Sequence, residues 1–216
     1  MFDIIKYNEI KDFLQKNNDL CQIVAISKNH PKDSVISAIN EGVFIFGENR
    51  VLEAKDKFTD LKEKYPNIEL HLTGPLQSNK VKIAVSLFDV FHTLDREKIA
   101  KEFSKYKEKL KEKKIFIQVN IGEEKNKSGI EPNHVTEFIN FCKQDMGLQI
   151  SGLMCIPPIQ DEPSKHFKML RLLANKNNLK ELSIGMSNDY YDALKFDPSY
   201  IRLGTILFGK RNWNIK

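Results

Sequence analysis

The sequence predicts an α/β fold, a single-domain (β/α)₈ or TIM barrel over residues 1–216, and three observations carry that prediction. Short apolar, β-branched runs alternate with helix-periodic segments from end to end, and parallel neighbours are what such alternation builds, because parallel strands need crossover connections. The strand-like runs number eight, which permits closure, whereas an open doubly wound sheet usually carries fewer. A helical segment at about 3–18 precedes the first run, while no helix-length segment follows the last. Strands 8 and 1 are neighbours in a closed barrel, so the leading helix is expected to cover the seam a trailing one would otherwise cover.

The elements follow in order. The first strand is 22–27, an apolar run stopped by Asn29, His30 and Pro31. Helix 32–41 and strand 43–47 come next, then helix 49–64 and strand 69–73. Helix 76–87 and strand 90–93 lead into 95–113, where Ile99, Phe103, Tyr106 and Leu110 form one stripe and predict one helix. Strand 115–120 precedes a helix marked by Val135, Phe138, Ile139 and Cys142, with Pro132 suited to an early position. Strand 149–156, helix 162–177, strand 181–186 and helix 188–196 complete the pattern before strand 200–204 and a short turn at 206–208.

Composition narrows the function. Lysine and arginine total 34 against 29 acidic residues, a net charge of +5, and lysine alternates with glutamate along helices, as in Lys98-Ile99-Ala100-Lys101-Glu102. That is a solvated face rather than a nucleic-acid stripe. Residues 1–20 lack an apolar signal core, and no run approaches the roughly 18 apolar residues of a membrane span. Three widely spaced cysteines indicate neither a disulfide framework nor a zinc ribbon, and a reduced, cytoplasmic compartment is expected. No Walker loop, Gly-x-Gly-x-x-Gly, His-Glu-x-x-His or Cys-x-x-Cys occurs, so no metal site is expected. The five histidines are scattered, and His71, on a strand, reads as a core hydrogen-bonding group. A monomer is expected.

The chemistry gathers at the carboxyl ends of the strands, which in a barrel converge on one mouth. Lys28 follows a buried run, where a pocket would desolvate it, lower its pKa and expose a nucleophilic amine. A lysine merely reaching solvent is the alternative. After strand 7, Gly185-Met186-Ser187-Asn188-Asp189 places a hydroxyl before a helix; Ser187 is either a phosphate ligand or a helix N-cap. After strand 8, Gly204 and Thr205 offer close backbone approach and a second hydroxyl, or simply end the strand. Arg202 alternates with Ile201 and Leu203 and therefore points into the barrel, to meet either a structural ion pair or a ligand acceptor. A strand-end amine, a phosphate cradle across the mouth and an inward arginine together suit pyridoxal 5'-phosphate, with its aldehyde, phosphate and ring nitrogen.

Seven segments in order carry a resemblance: Ala25-Ile26-Ser27-Lys28, Phe46-Gly47-Glu48-Asn49, the stretch from His71 to Lys80, Val119-Asn120 with Lys127-Ser128-Gly129, Gly152 to Pro157, Gly185-Met186-Ser187, and Arg202-Leu203-Gly204-Thr205. Over nearly its whole length the chain resembles the YggS/PROSC family of pyridoxal phosphate homeostasis proteins, which are similar in fold to the N-terminal barrel of alanine racemase. The resemblance implies that Lys28 forms a Schiff base with pyridoxal 5'-phosphate and that Asn49 lies beside its ring. It implies Ser187, Gly204 and Thr205 on the phosphate and Arg202 near the pyridine nitrogen. Leu70 and Thr73 depart from the family's usual tryptophan and isoleucine, and Arg50 from a frequent tyrosine.

The expected function is an intracellular holder and buffer of the cofactor, a reactive aldehyde, with PLP-dependent apoenzymes as partners and no robust catalysis. The alternative is an amino-acid racemase. Racemisation needs an acid/base group on each face of the α-carbon, and Lys28 supplies one; in alanine racemase the second is a tyrosine from another subunit, helped by a further β domain, whereas this chain ends at Lys216. An arginine beside the ring nitrogen also keeps the pyridine unprotonated and makes it a poorer electron sink. A Schiff-base aldolase would place acids at several strand ends, where only Glu48 and Asp95 stand.

Overall fold

Each barrel strand is buried on both faces, which is why its sequence reads as a nearly continuous apolar run. The structure is a computed structural model, and residues 2–18 and 20–209 are described. Among them β1 (Gln22–Ile26), β2 (Ile45–Glu48), β3 (Glu69–Leu72), β4 (Val90–Leu94), β5 (Lys114–Val119), β6 (Gly152–Cys155), β7 (Glu181–Met186) and β8 (Tyr200–Leu203) pair in parallel, in sequence order. β8 closes onto β1 with Val24 level with Arg202 and Ala25 level with Leu203.

Ile23, Ala25, Ile201 and Leu203 face outward into the apolar layer under the helices. Val24, Ile26, Val90, Phe116, Met154 and Tyr200 fill the barrel interior. The helical ring is α1 (Ile4–Asn17), α2 (Lys32–Asn40), α3 (Val51–Lys64), α4 (Val81–Leu87), α5 (Glu97–Ser104), α6 (Lys107–Leu110), α7 (Val135–Asn140), α8 (Pro163–Lys176), α9 (Tyr190–Ala193) and α10 (Thr205–Phe208). Among the described residues no helix is long and apolar enough to cross a membrane.

α1 starts at Asp3, whose Oδ1 accepts the Lys6 N–H at 2.9 Å, an N-cap of the usual acidic kind. The Asp3 N–H donates to Leu207 O at 2.8 Å, and Phe2 meets Phe208 edge-on at 5.1 Å, which ties the leading helix to α10.

The single helix expected over 95–113 is two. Tyr106, at φ −122° and ψ 20°, leaves the helical region between α5 and α6. A straight helix of that span would run about 28 Å, whereas the neighbouring strands rise at most about 20 Å. The break keeps Ile99, Phe103 and Leu110 all buried within that height. The stripe at Val135–Cys142 also changes pitch, with α7 passing into a π-helical turn at Phe141–Asp145 that buries Cys142. The sixth strand is shorter than expected, since 149–151 lead into it without joining the ladder.

Candidate functional site at the carboxyl mouth of the barrel

A cavity of about 260 Å³ opens at the carboxyl ends of the strands, and Lys28, Asn49, Ser187, Arg202, Gly204 and Thr205 all line it. Ile26, His30, Thr73, Ile156, Met186 and Asn188 complete the wall. No lining residue is acidic, while three are basic: Lys28, His30 and Arg202. An acid-free wall that holds a guanidinium and a lysine favours an anion.

Local structure sets each side chain. Lys28 is half-buried in the turn after β1, where Asn29 adopts φ +60° and ends the strand direction. Behind it the Ser27 hydroxyl donates to Glu48 Oε1 at 2.7 Å. Lys57, from α3, donates to the same oxygen at 2.8 Å and to Ser27 O at 2.9 Å. Glu48 is fully buried, and burial pushes its carboxyl above the usual range against the opposing pull of Lys57 and Ser27. This buried pair joins the residue before Lys28 to the residue before Asn49.

Asn49 accepts the Thr73 hydroxyl at 2.9 Å through Oδ1, so the orientation of its amide is fixed from β3. Gly74 makes that approach possible: a Cβ there would stand 2.4 Å from Asn49 O and 2.7 Å from Asn49 Cβ. Across the mouth, Gly185 at φ +85° bends the last residues of β7, in the left-handed region that favours glycine. Asp189, the residue preceding α9, turns its Oδ1 back to the Met186 N–H at 2.6 Å. Ser187 is therefore not a helix cap but sits in the turn, half-buried against the cavity. Gly204 O accepts from both Leu207 and Phe208 N–H at 2.9 Å, which leaves the Thr205 and Ile206 N–H groups ahead of the first intrahelical donor of α10.

Arg202 is 5% exposed. Nη1 donates to Ser183 Oγ at 2.6 Å and Nη2 to Cys155 O at 3.0 Å. Of its five N–H groups these account for two among the described residues, and the guanidinium's residue lines the cavity. Its partners are neutral rather than an ion pair, and burial lowers its pKa. The two acids considered at strand ends lie outside the wall: Glu48 is held by Lys57, and Asp95 by Arg96.

Several participants were not singled out from sequence. Lys57 lies in a lysine-rich helix, but its spacing from Ala54 and Leu61 puts it on the buried stripe, a signal that was available. Thr73 appeared only as a departure from a pattern, yet it orients Asn49. Arg50 is exposed at the start of α3 and does not reach the cavity, and Leu70 is packed in the outer layer.

A closed parallel barrel with a lysine beyond β1 and a basic pocket at its mouth defines the class, the alanine racemase N-terminal domain, whose family model matches residues 6–212. Within that class the chain belongs to the pyridoxal phosphate homeostasis protein family. The relative so named in Haemophilus influenzae is 32% identical over 210 residues, covering 92% of this chain and 89% of the relative. The one in Buchnera aphidicola is 36% identical over 217 residues, covering 95% and 94%. Among solved structures, PipY of Synechococcus elongatus with PLP bound superposes with a TM-score of 0.82 at 30% identity, over 95% of this chain and 99% of that one. Alanine racemase from Corynebacterium glutamicum shares the fold at a TM-score of 0.72 and 14% identity, over the whole of this chain and 64% of the other.

Proposed function

We propose that this chain holds pyridoxal 5'-phosphate in the barrel mouth, attached through Lys28 Nζ, and serves the homeostasis of that cofactor without robust catalysis. The observation that carries the reading is the acid-free wall, with an amine, a buried arginine and three hydroxyls around one small cavity. The cofactor would supply an aldehyde, the group with which the Lys28 amine can react.

The residues divide the work by chemistry. Lys28 provides the amine. The Ser187 and Thr205 hydroxyls, with the N–H groups of Thr205 and Ile206, offer charge-assisted bonds to the phosphate, and Gly204 lets the backbone approach. Asn49 would stand beside the ring. Arg202 would donate to the ring nitrogen; a group that keeps its own protons would not protonate that nitrogen, so the electron withdrawal that stabilises a carbanion would be weak. The PLP-bound relative at 30% identity supports the same ligand. On this reading the protein is one domain over 1–216, a cytoplasmic monomer, with PLP-dependent apoenzymes as recipients.

Titration with pyridoxal 5'-phosphate and with pyridoxal tests it. The phosphorylated form should bind far more tightly, and Ser187→Ala with Thr205→Val should remove most of that difference. Equal affinities of the wild-type protein for the two would refute the phosphate cradle.

A further inference from the structure

Arg202 is one end of a chain of four hydrogen bonds that crosses the barrel interior. Its Nη1 meets Ser183 Oγ at 2.6 Å. Ser183 Oγ lies 2.7 Å from His92 Nδ1, His92 Nε2 lies 2.8 Å from His71 Nδ1, and His71 Nε2 lies 2.6 Å from Glu69 Oε1. Arg202, Ser183, His92 and His71 are all buried, whereas the Glu69 side chain is 39% exposed at the amino end of β3. The chain thus joins the candidate site to the opposite end of the barrel.

Its ends dictate its polarity. A carboxylate only accepts, so His71 carries a proton on Nε2 and offers the lone pair of Nδ1. That lone pair requires the proton of His92 to be on Nε2, which leaves His92 Nδ1 to accept the Ser183 hydroxyl proton. Ser183 then accepts from Arg202, which only donates. With both imidazoles neutral, the four bonds have one arrangement. The surroundings favour neutrality: Phe116 stacks on His92 at 5.1 Å and 8°, Tyr200 meets both rings edge-on, and Arg202 is the fixed cation nearest His92. His71 faces Glu69, with Asp89 and Lys114 as further charges around it. Burial lowers both histidine pKa values.

We propose that Glu69, His71, His92 and Ser183 form a one-way relay that fixes the Arg202 guanidinium against the cavity, with Glu69 setting the tautomer of both histidines. These are positioning residues. The consequence for the cofactor rests on the functional reading above, while the relay itself does not.

The first test uses protein without cofactor. Long-range ¹H–¹⁵N spectra of the imidazoles should show His71 and His92 neutral and protonated on Nε2 in the wild-type protein at neutral pH. Glu69→Gln keeps an acceptor and should preserve both signatures. Glu69→Leu removes it and should admit the Nδ1–H form at His92, two hydrogen bonds away, which a merely structural role of Glu69 would not do. A wild-type His92 found charged or protonated on Nδ1 would overturn the relay, as would a His92 indifferent to Glu69→Leu.

The second test reads the site. Ser183→Ala should weaken pyridoxal 5'-phosphate binding by about tenfold, the scale of one hydrogen bond to a charged group, and should weaken pyridoxal by the same factor because the phosphate side is untouched. Unchanged affinity in Ser183→Ala would overturn the positioning role. Failure of the wild-type protein to bind the cofactor, with the histidine signatures as expected, would sink the functional reading and leave the relay standing.

Discussion

Lys57 supplies the countercharge for a carboxylate that no solvent reaches. Its ammonium bonds Glu48 and the backbone carbonyl of Ser27, and so ties the ends of β1 and β2 together directly behind Lys28 and Asn49. Truncating one partner of such a pair leaves the other buried and unpaired, which typically costs about 3–5 kcal/mol. Lys57→Met should therefore lower the unfolding free energy by that order in denaturant titrations. Lys57→Met with Glu48→Gln should recover part of the loss, and an additive double variant would show that the pair is not coupled. At this scale the sequence was legible where a residue was out of character: Lys28 after an apolar run and Arg202 inside one both stand on the cavity wall. It was less legible where a charge matched its surroundings, as Lys57 does in a lysine-rich helix.

The strands were the most readable elements, because burial on both faces leaves a short apolar run that helices on this surface lack. Helix continuity was harder to read. The stripe from Ile99 to Leu110 is compatible with one helix or two, and only the height of the adjoining strands decides between them. Loop–strand contacts were out of reach as well, since nothing local announces that the turn after β3 lies on the backbone of Asn49. Gly74→Ala tests that contact. The added Cβ would fall 2.4 Å from Asn49 O, so the β3 loop or Asn49 must move. A loss of about 1–3 kcal/mol is expected from the overpacking. Cofactor affinity should fall with it, and an unchanged affinity with unchanged stability would place Gly74 outside the architecture of the site.

Across the whole molecule, the interior of the barrel is polar along one line and apolar elsewhere. His71, His92 and Ser183 are distant in sequence, and only closure with this register brings their inward side chains level, so the line could not be read from spacing. It has a signature in stability. Folded His92 stays neutral as the pH falls through its ordinary value near 6.5, while in the unfolded chain it takes up a proton there; His71, also lowered by burial but opposed by Glu69, acts in the same sense. The unfolded state then binds more protons, so stability is full above about pH 6.5 and falls as the pH drops from there toward the folded values. His92 contributes a slope of up to about 1.4 kcal/mol per pH unit. Glu48, Asp95 and Asp189, with raised pKa values, act in the opposite sense above their ordinary values. The contribution of His92 is therefore read by comparison with a variant that lacks it. Between pH 7 and 5.5 the unfolding free energy of His92→Leu should gain on that of the wild-type protein by up to about 1.4 kcal/mol per unit as the pH falls; parallel pH profiles would mean that His92 is not held neutral.

The central claim, that the pocket takes its cofactor on Lys28, is tested most directly by borohydride reduction of the protein incubated with pyridoxal 5'-phosphate, followed by peptide mapping. The account predicts one phosphopyridoxyl group per chain, on Lys28, and none there in Lys28→Ala. A group found only on other lysines, or equal labelling of many, would contradict it.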